Sequence, residues 1–300
     1  MSLTKYEMLM AVVEQGSLTK AARLLGCTQS AISHSLDNIE EELGFSILHR
    51  GRGSVRLTAE GERIMPAVRN LLSSAEQLNQ TASSIRGLNA GLVRIGAFTS
   101  VAVHWLPGVL REFQADYPNV EISLLNGDYH DVEQWLIGGN IDIGFVNVPC
   151  GLDCECIALA QDRMLAVLPK DSPYSSYVRF PLTECEKLPF ISLLESSDHD
   201  ARRALDAAGV KPNVRFYTKD DYAIMAMVEQ GLGMSLMPEL LLKGYQDRLL
   251  TLPLAPDYSR TIGMAIAAGE KAGPATRKFA DYVVRFVTDE EKRRHGFRGN

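Results

Sequence analysis

No stretch of this 300-residue sequence approaches the run of about 20 apolar residues that a membrane helix needs. The chain also turns polar within its first few residues, so neither a spanning helix nor a secretory leader is expected and the cytoplasm is the expected compartment. Catalytic signatures are missing too. There is no G-x-S-x-G, H-E-x-x-H, phosphate-binding Walker loop or paired C-x-x-C, and His104, His130 and His199 are scattered without triad-like partners. These absences argue against an enzyme, and no cofactor or metal is implied. Excess positive charge is lacking as well: the formal net charge is −6, and residues 1–60 hold six Lys/Arg against seven Asp/Glu. Non-specific attraction to nucleic acid should therefore be modest. Cysteine is scarce, but three of the five cysteines fall in the run Cys150-Gly-Leu-Asp-Cys154-Glu-Cys156. That spacing matches no common four-ligand zinc pattern, and it leaves open a redox- or metal-sensing alternative beside an ordinary loop.

What is present is concentrated in residues 16–61. Ser17 can cap a helix whose apolar positions are Leu18, Ala21, Ala22 and Leu25, and Gly26 can end it. Thr28 offers a second cap two residues later, so the two helices are separated by a turn of helix-turn-helix length. The second helix should run from about Gln29 to Leu43, with Ile32, Leu36, Ile39 and Leu43 inward. Its outer face carries Gln29, Ser30, Ser33, His34 and Asp37, crowded toward the N-terminal half that reaches base edges in a recognition helix. A ribbon follows, with Arg50, Arg52 and Arg56 around Gly51 and Gly53. Arginine suits phosphate and minor-groove contact because its planar fork binds bidentately. Thr28, Gln29, Ser30, Ser33, His34, Arg50, Arg52 and Arg56 are accordingly the candidate DNA contacts.

Ala21-Ala22, Leu25, Gln29-Ser30-Ala31-Ile32-Ser33, Ile39-Glu40, Leu43-Gly44, Arg50, Val55-Arg56-Leu57-Thr58 and Gly61 together resemble the winged helix-turn-helix of LysR-type transcriptional regulators. Two positions depart from that pattern: His34 stands where many members have arginine, and Leu48 where many have phenylalanine.

Beyond the ribbon, Thr58 can cap a long helix with Glu60 and Glu62 in its first turn. Ile64, Val68, Leu71, Ala75, Leu78, Ala82 and Ile85 recur at steps of four and three, a heptad seam that needs a partner helix. The resemblance supplies one, an antiparallel linker-helix dimer, and implies a homo-oligomer of paired dimers. From residue 92 strands and helices alternate, which argues for a parallel sheet with covered faces. The last dozen residues are charged and read as a frayed tail.

The fold expected is α+β overall: a winged helix-turn-helix (1–60), a linker helix (61–90) and two α/β lobes (91–300) that resemble the two-lobed, periplasmic-binding-protein-like effector domain of the same family. Lobe I takes 91–161 and 266–300, and lobe II takes 162–265. Ligands in such folds bind outside the carboxyl ends of strands. Strand ends nominate Thr99, Ser100, Asn147, Val148, Ser196, Ser197, Thr218 and Lys219, and Lys219 favours an anionic effector, a carboxylate for example. The expectation is a sequence-specific DNA-binding regulator under effector control. Its partners would be double-stranded operator DNA, a small-molecule effector and RNA polymerase, with no membrane.

Overall fold

The structure is a computed structural model that describes residues 3–51, 54–85, 90–194, 200–269 and 272–296. The chain separates into two compact units. One comprises residues 1–88 with 137–140, and the other 89–136 with 141–300.

The first unit opens with helices α1 (Leu3–Gln15), α2 (Leu18–Leu25) and α3 (Gln29–Leu43). The Ser17 hydroxyl accepts from the Lys20 amide at 3.4 Å, and the Thr28 hydroxyl accepts from the Ala31 amide at 3.2 Å. Between these caps Gly26 takes φ of 64°, a left-handed conformation that ends α2 without a Cβ penalty. Ala21, Ala22, Ile32, Leu36 and Ile39 close a core with Leu9 and Val12 of α1. Leu25 departs from its expected inward place and is exposed, because α2 buries only a narrow alanine face.

Strands β1 (Leu48–Arg50) and β2 (Val55–Leu57) form the wing as an antiparallel hairpin. Thr58 then caps α4 (Ala59–Ile85): its hydroxyl accepts from the Gly61 amide at 2.9 Å and donates to the Ser46 carbonyl at 2.8 Å. At Gly61 a Cβ would collide with the Ile47 carbonyl oxygen, so a side chain there would push α4 away from the start of the wing. The seam of α4 divides. Val68, with Met65 and half-buried Ile64, packs into the head core, whereas Leu71 and Leu78 are 41% and 70% exposed in the single chain. Ala75 is half-buried and Ala82 exposed, and the Ile85 side chain lies outside the described residues.

The second unit is built on a mixed sheet in the order β4-β3-β5-β12-β6-β11-β7, with β10 also paired to β6. These strands are β3 (Ala90–Ala97), β4 (Asn119–Asn126), β5 (Ile143–Asn147), β6 (Glu155–Pro169), β7 (Phe180–Pro181), β10 (Ser235–Pro238), β11 (Leu249–Ala255) and β12 (Ser259–Ile266). The expected parallel sheet holds only in part. β3 runs parallel to β4 and β5, but β12 is antiparallel to β5 and β6, and β6 is antiparallel to β10 and β11. The 15-residue β6 and its neighbour β12 are the crossovers between lobes, and strands that carry the chain out and back must run in opposite senses.

In lobe I, α5 (Thr99–His104), α6 (Leu106–Asp116) and α10 (Pro274–Gly296) cover the sheet through Val101, Val109, Phe113, Phe279 and Val283, and α7 (Tyr129–Ile137) packs through Val132 and Leu136. Lobe II adds β8 (Pro189–Leu193) paired in parallel with β9 (Asn213–Thr218), and helices α8 (Asp200–Ala207) and α9 (Asp221–Glu229). Of the tail expected to fray, the part up to Gly296 is instead helical, with Glu290 paired to Lys243 at 2.9 Å and Arg294 to Glu239, and residues 297–300 lie outside the described residues.

Candidate functional site: recognition helix, wing and interlobe cavity

The outer face of α3 presents Gln29, Ser30 and His34 to solvent. Gln29 is steadied by the Thr19 hydroxyl, which donates to its Oε1 at 3.2 Å, and the Ser30 and Thr28 hydroxyls lie 3.0 Å apart. His34 Nδ1 accepts from the Asn38 amide at 3.1 Å, which turns Nε2 outward. Ser33 is half-buried, with Arg50 donating toward its hydroxyl at 3.4 Å.

The arginines of the wing divide. Arg56 is exposed on β2, and Arg52 lies outside the described residues. Arg50 is folded back on α3: Nη1 donates to Asp37 at 2.6 Å and Nη2 to Glu40 at 2.9 Å. Glu40 in turn accepts the Ile47 and Leu48 amides at 2.7 and 3.1 Å, so one carboxylate fastens both the wing's first strand and its arginine to the recognition helix. In the sequence Glu40 stands out only as part of the family pattern, and this bracket was missed.

Between the lobes of the second unit lies a cavity of about 220 Å³. Thr99, Ser100 and Lys219 line it, as expected of strand ends. Three nominated residues are spent on the frame instead. Asn147 donates to Asp200 at 3.2 Å and accepts the Thr261 amide at 3.3 Å. Val148 donates its amide to the Thr261 carbonyl at 2.8 Å and packs in the cluster around Val132. Thr218 takes the Asp220 amide on its hydroxyl at 3.2 Å. Ser196 and Ser197 lie outside the described residues.

The residue that organises the cavity is Arg260 of β12, 6% exposed. Its guanidinium donates to Asp162 at 2.8 and 3.0 Å, to Asp200 at 3.1 Å, to the Tyr129 hydroxyl at 2.8 Å and to the Ser100 hydroxyl at 2.7 Å. It also lies over the Phe98 ring at 4.8 Å. Ser100, Asn147 and Tyr129 come from lobe I, and Asp200 from lobe II, so the network spans the cavity. Burial works against the cation, but Tyr129, Asp162 and Asp200 outweigh it and hold Arg260 above its usual value. Burial likewise pushes the Tyr129 hydroxyl far above its ordinary range, with Asp200 adding to the shift. Asp221, bonded to the Thr99 hydroxyl, is raised by burial, which that bond and Arg260 only partly offset.

The described lining carries four carboxylates (Asp128, Asp131, Asp200 and Asp221) against Arg260 and Lys219. Arg260 is already matched by two of the buried aspartates around it, so the case for an anion rests on Lys219 alone. An arginine interrupting the apolar strand SRTIGMAI was the sequence signal that could have revealed the network.

A winged helix-turn-helix followed by a two-lobed α/β ligand-binding unit defines a ligand-responsive DNA-binding protein. The first 60 or so residues, 3–62, match the model of the bacterial regulatory helix-turn-helix proteins of the LysR family, and residues 86–287 match the LysR substrate-binding domain. The chain belongs to the LysR family of transcriptional regulators, and its relatives are regulators rather than enzymes. It is 31% identical to the probable regulator LrrA of Synechococcus elongatus, over 94% of this chain and 96% of the relative. It is 28% identical to the regulator YvbU of Bacillus subtilis, over 94% and 97%. Its fold is shared with full-length OxyR from Pseudomonas aeruginosa (TM-score 0.78, 20% identity, 96% and 97% covered). CbnR, solved in complex with its target DNA, is similar at a TM-score of 0.67 and 20% identity, with 95% and 99% covered. No helix among the described residues is long and apolar enough to cross a membrane.

Proposed function

We propose that this regulator reads its operator with Gln29, Ser30 and His34 in the major groove, while Arg56 and Arg52 of the wing meet phosphate. Base-edge contacts specify sequence and the wing contacts set register. Two α4 helices pair through the exposed Leu71 and Leu78, giving a homo-oligomer of paired dimers that works in the cytoplasm and adjusts access of RNA polymerase. The cavity crossed by the Arg260 network is the effector site, and this is the observation that carries the reading. An effector that enters it competes for Ser100, Tyr129 and Asp200, and so shifts the balance between lobe arrangements.

The excess of acid in the lining favours a ligand with an ammonium group. An amino acid fits best, its amine toward Asp221 and its carboxylate toward Lys219. A thermal-shift panel of amino acids, amines and carboxylates on the full chain tests this. At a hundred times its dissociation constant a true effector adds about 2.7 kcal/mol of stability. The expected hits carry an amine and fade in Asp221→Asn. Hits confined to plain carboxylates that fade in Lys219→Ala would restore the anionic effector.

A further inference from the structure

The mechanism above leaves one cluster of nucleophilic side chains unused. Cys150 and Cys154 sit on the loop between β5 and β6, and Cys156 is the second residue of β6, paired with Ala265 of β12. Their three sulfurs all lie within 4.8 Å of one another. The loop is not a loose one: Cys150, Leu152 and Cys154 pack against Val132, Leu136, Val146 and Ala265. Cys150 and Cys156 are joined as a disulfide, and their Cα atoms stand 7.6 Å apart. Disulfides usually span about 4.4–6.8 Å between Cα atoms, so this backbone is spread too widely for a relaxed one. With that pair reduced, three sulfurs within 4.8 Å of one another can share one ion, since thiolates at about 2.3 Å from one ion stand roughly 3.8 Å apart.

We propose that Cys150, Cys154 and Cys156, as thiolates, form a three-sulfur site for a single thiophilic cation of the zinc, cadmium or copper(I) class. Sulfur donors select such ions over hard cations, and three ligands leave one position open. Each thiol releases its proton as the ion binds. The site is distinct from the effector cavity and does not depend on it. A bound ion would fasten the loop that leaves Asn147, which itself holds Asp200, to the start of the crossover strand β6.

Cadmium alone, titrated into the reduced full chain, tests the proposal. Of five cysteines, Cys185 is fully buried and burial pushes its thiol up to about 12, so it stays silent in the native protein. The expected result is thiolate-to-cadmium charge-transfer absorption saturating at one ion per chain. Reactive native thiols should fall from four (Cys27 and the cluster) to Cys27 alone. Cys154→Ser, a residue outside the disulfide, should weaken binding by more than the roughly 10–100-fold that follows loss of a hydrogen bond supporting a metal ligand. Cys156→Ser should do the same, and Cys27→Ser should change nothing. Unchanged cadmium affinity in Cys154→Ser would overturn the site. So would a Cys150–Cys156 disulfide that survives reduction and leaves cadmium unbound.

Discussion

Arg50 and Arg260 are each held by two carboxylates, and the two settings make those similar constellations different devices. Arg50 lies on the surface of the head with Asp37 and Glu40, its side chain 27% exposed and Asp37 60% exposed. Water and salt screen that pair, and such interactions contribute about 0–1 kcal/mol. Arg260, Asp162 and Asp200 have side chains 4%, 2% and 6% exposed. There the attraction is unscreened, and so is the penalty for removing one partner. A surface arginine held this way can be lent to a phosphate and returned. A buried one fixes the position of everything it touches.

The largest expected effect tests the buried side of that contrast. Arg260→Met keeps bulk and apolar stem but strands Asp162 and Asp200. Breaking a buried ion pair on one side costs about 3–5 kcal/mol, which for a unit of this size is a fall of about 10 °C in the thermal midpoint. Adding Asp162→Asn and Asp200→Asn should recover part of the loss, because the uncompensated charges are then gone. Additive losses across the three substitutions, measured by denaturant unfolding, would mean that the groups do not act as one network.

Asp221 gives a smaller and pH-dependent effect. Burial raises its folded value above that of a free carboxyl, so the folded chain binds this proton more tightly than the unfolded one. The stabilisation from that proton is complete below the unfolded value, about 4, and is lost as pH rises through the folded value. Asp221→Asn removes the dependence and leaves the Asp220 cap of α9 in place. Relative to the parent chain, the variant should gain stability as pH climbs from about 4 toward neutrality. A difference that stays constant across urea titrations over that range would show that Asp221 is solvated in the folded state.

The two regions also differ in how far the sequence foretells them. The head is made of local signals: Ser17 and Thr28 bond within three residues of themselves, and Gly26 ends α2 where it stands. Caps, turns and helical periodicity are therefore readable one after another. The cavity is made at long range. Arg260 reaches Ser100 across 160 positions and Asp162 across 98, and nothing in the sequence around Arg260 announces these partners. Strand ends found Thr99, Ser100 and Lys219, which face the cavity because of where the backbone turns. The same rule picked out Asn147 and Thr218, which brace the frame and are not among the described cavity lining, since polar side chains at strand ends serve equally as caps and braces. The lobe bounds at 161 and 266 fall on or beside the crossover strands β6 and β12, but their antiparallel pairing was hidden for a related reason, because strand pairing across a hundred residues leaves no periodic trace.

Arg50→Ala probes the exposed side of the contrast and should have the smallest effect on folding, no more than about 1 kcal/mol. Glu40 would still accept the Ile47 and Leu48 amides, so the wing should stay anchored without the arginine. DNA binding then separates two roles that the free protein superimposes. If Arg50 swings to phosphate in the complex, its loss weakens binding to every sequence alike and lowers the salt slope by about one. If Arg50 instead stays on Asp37 and Glu40 and merely aims α3, the salt slope keeps its value and discrimination between operators falls. The exposure of Arg50 and the small energetic worth of its surface pairing favour the first outcome. Affinity measured from low to moderate salt on one selected operator and one scrambled duplex decides between them.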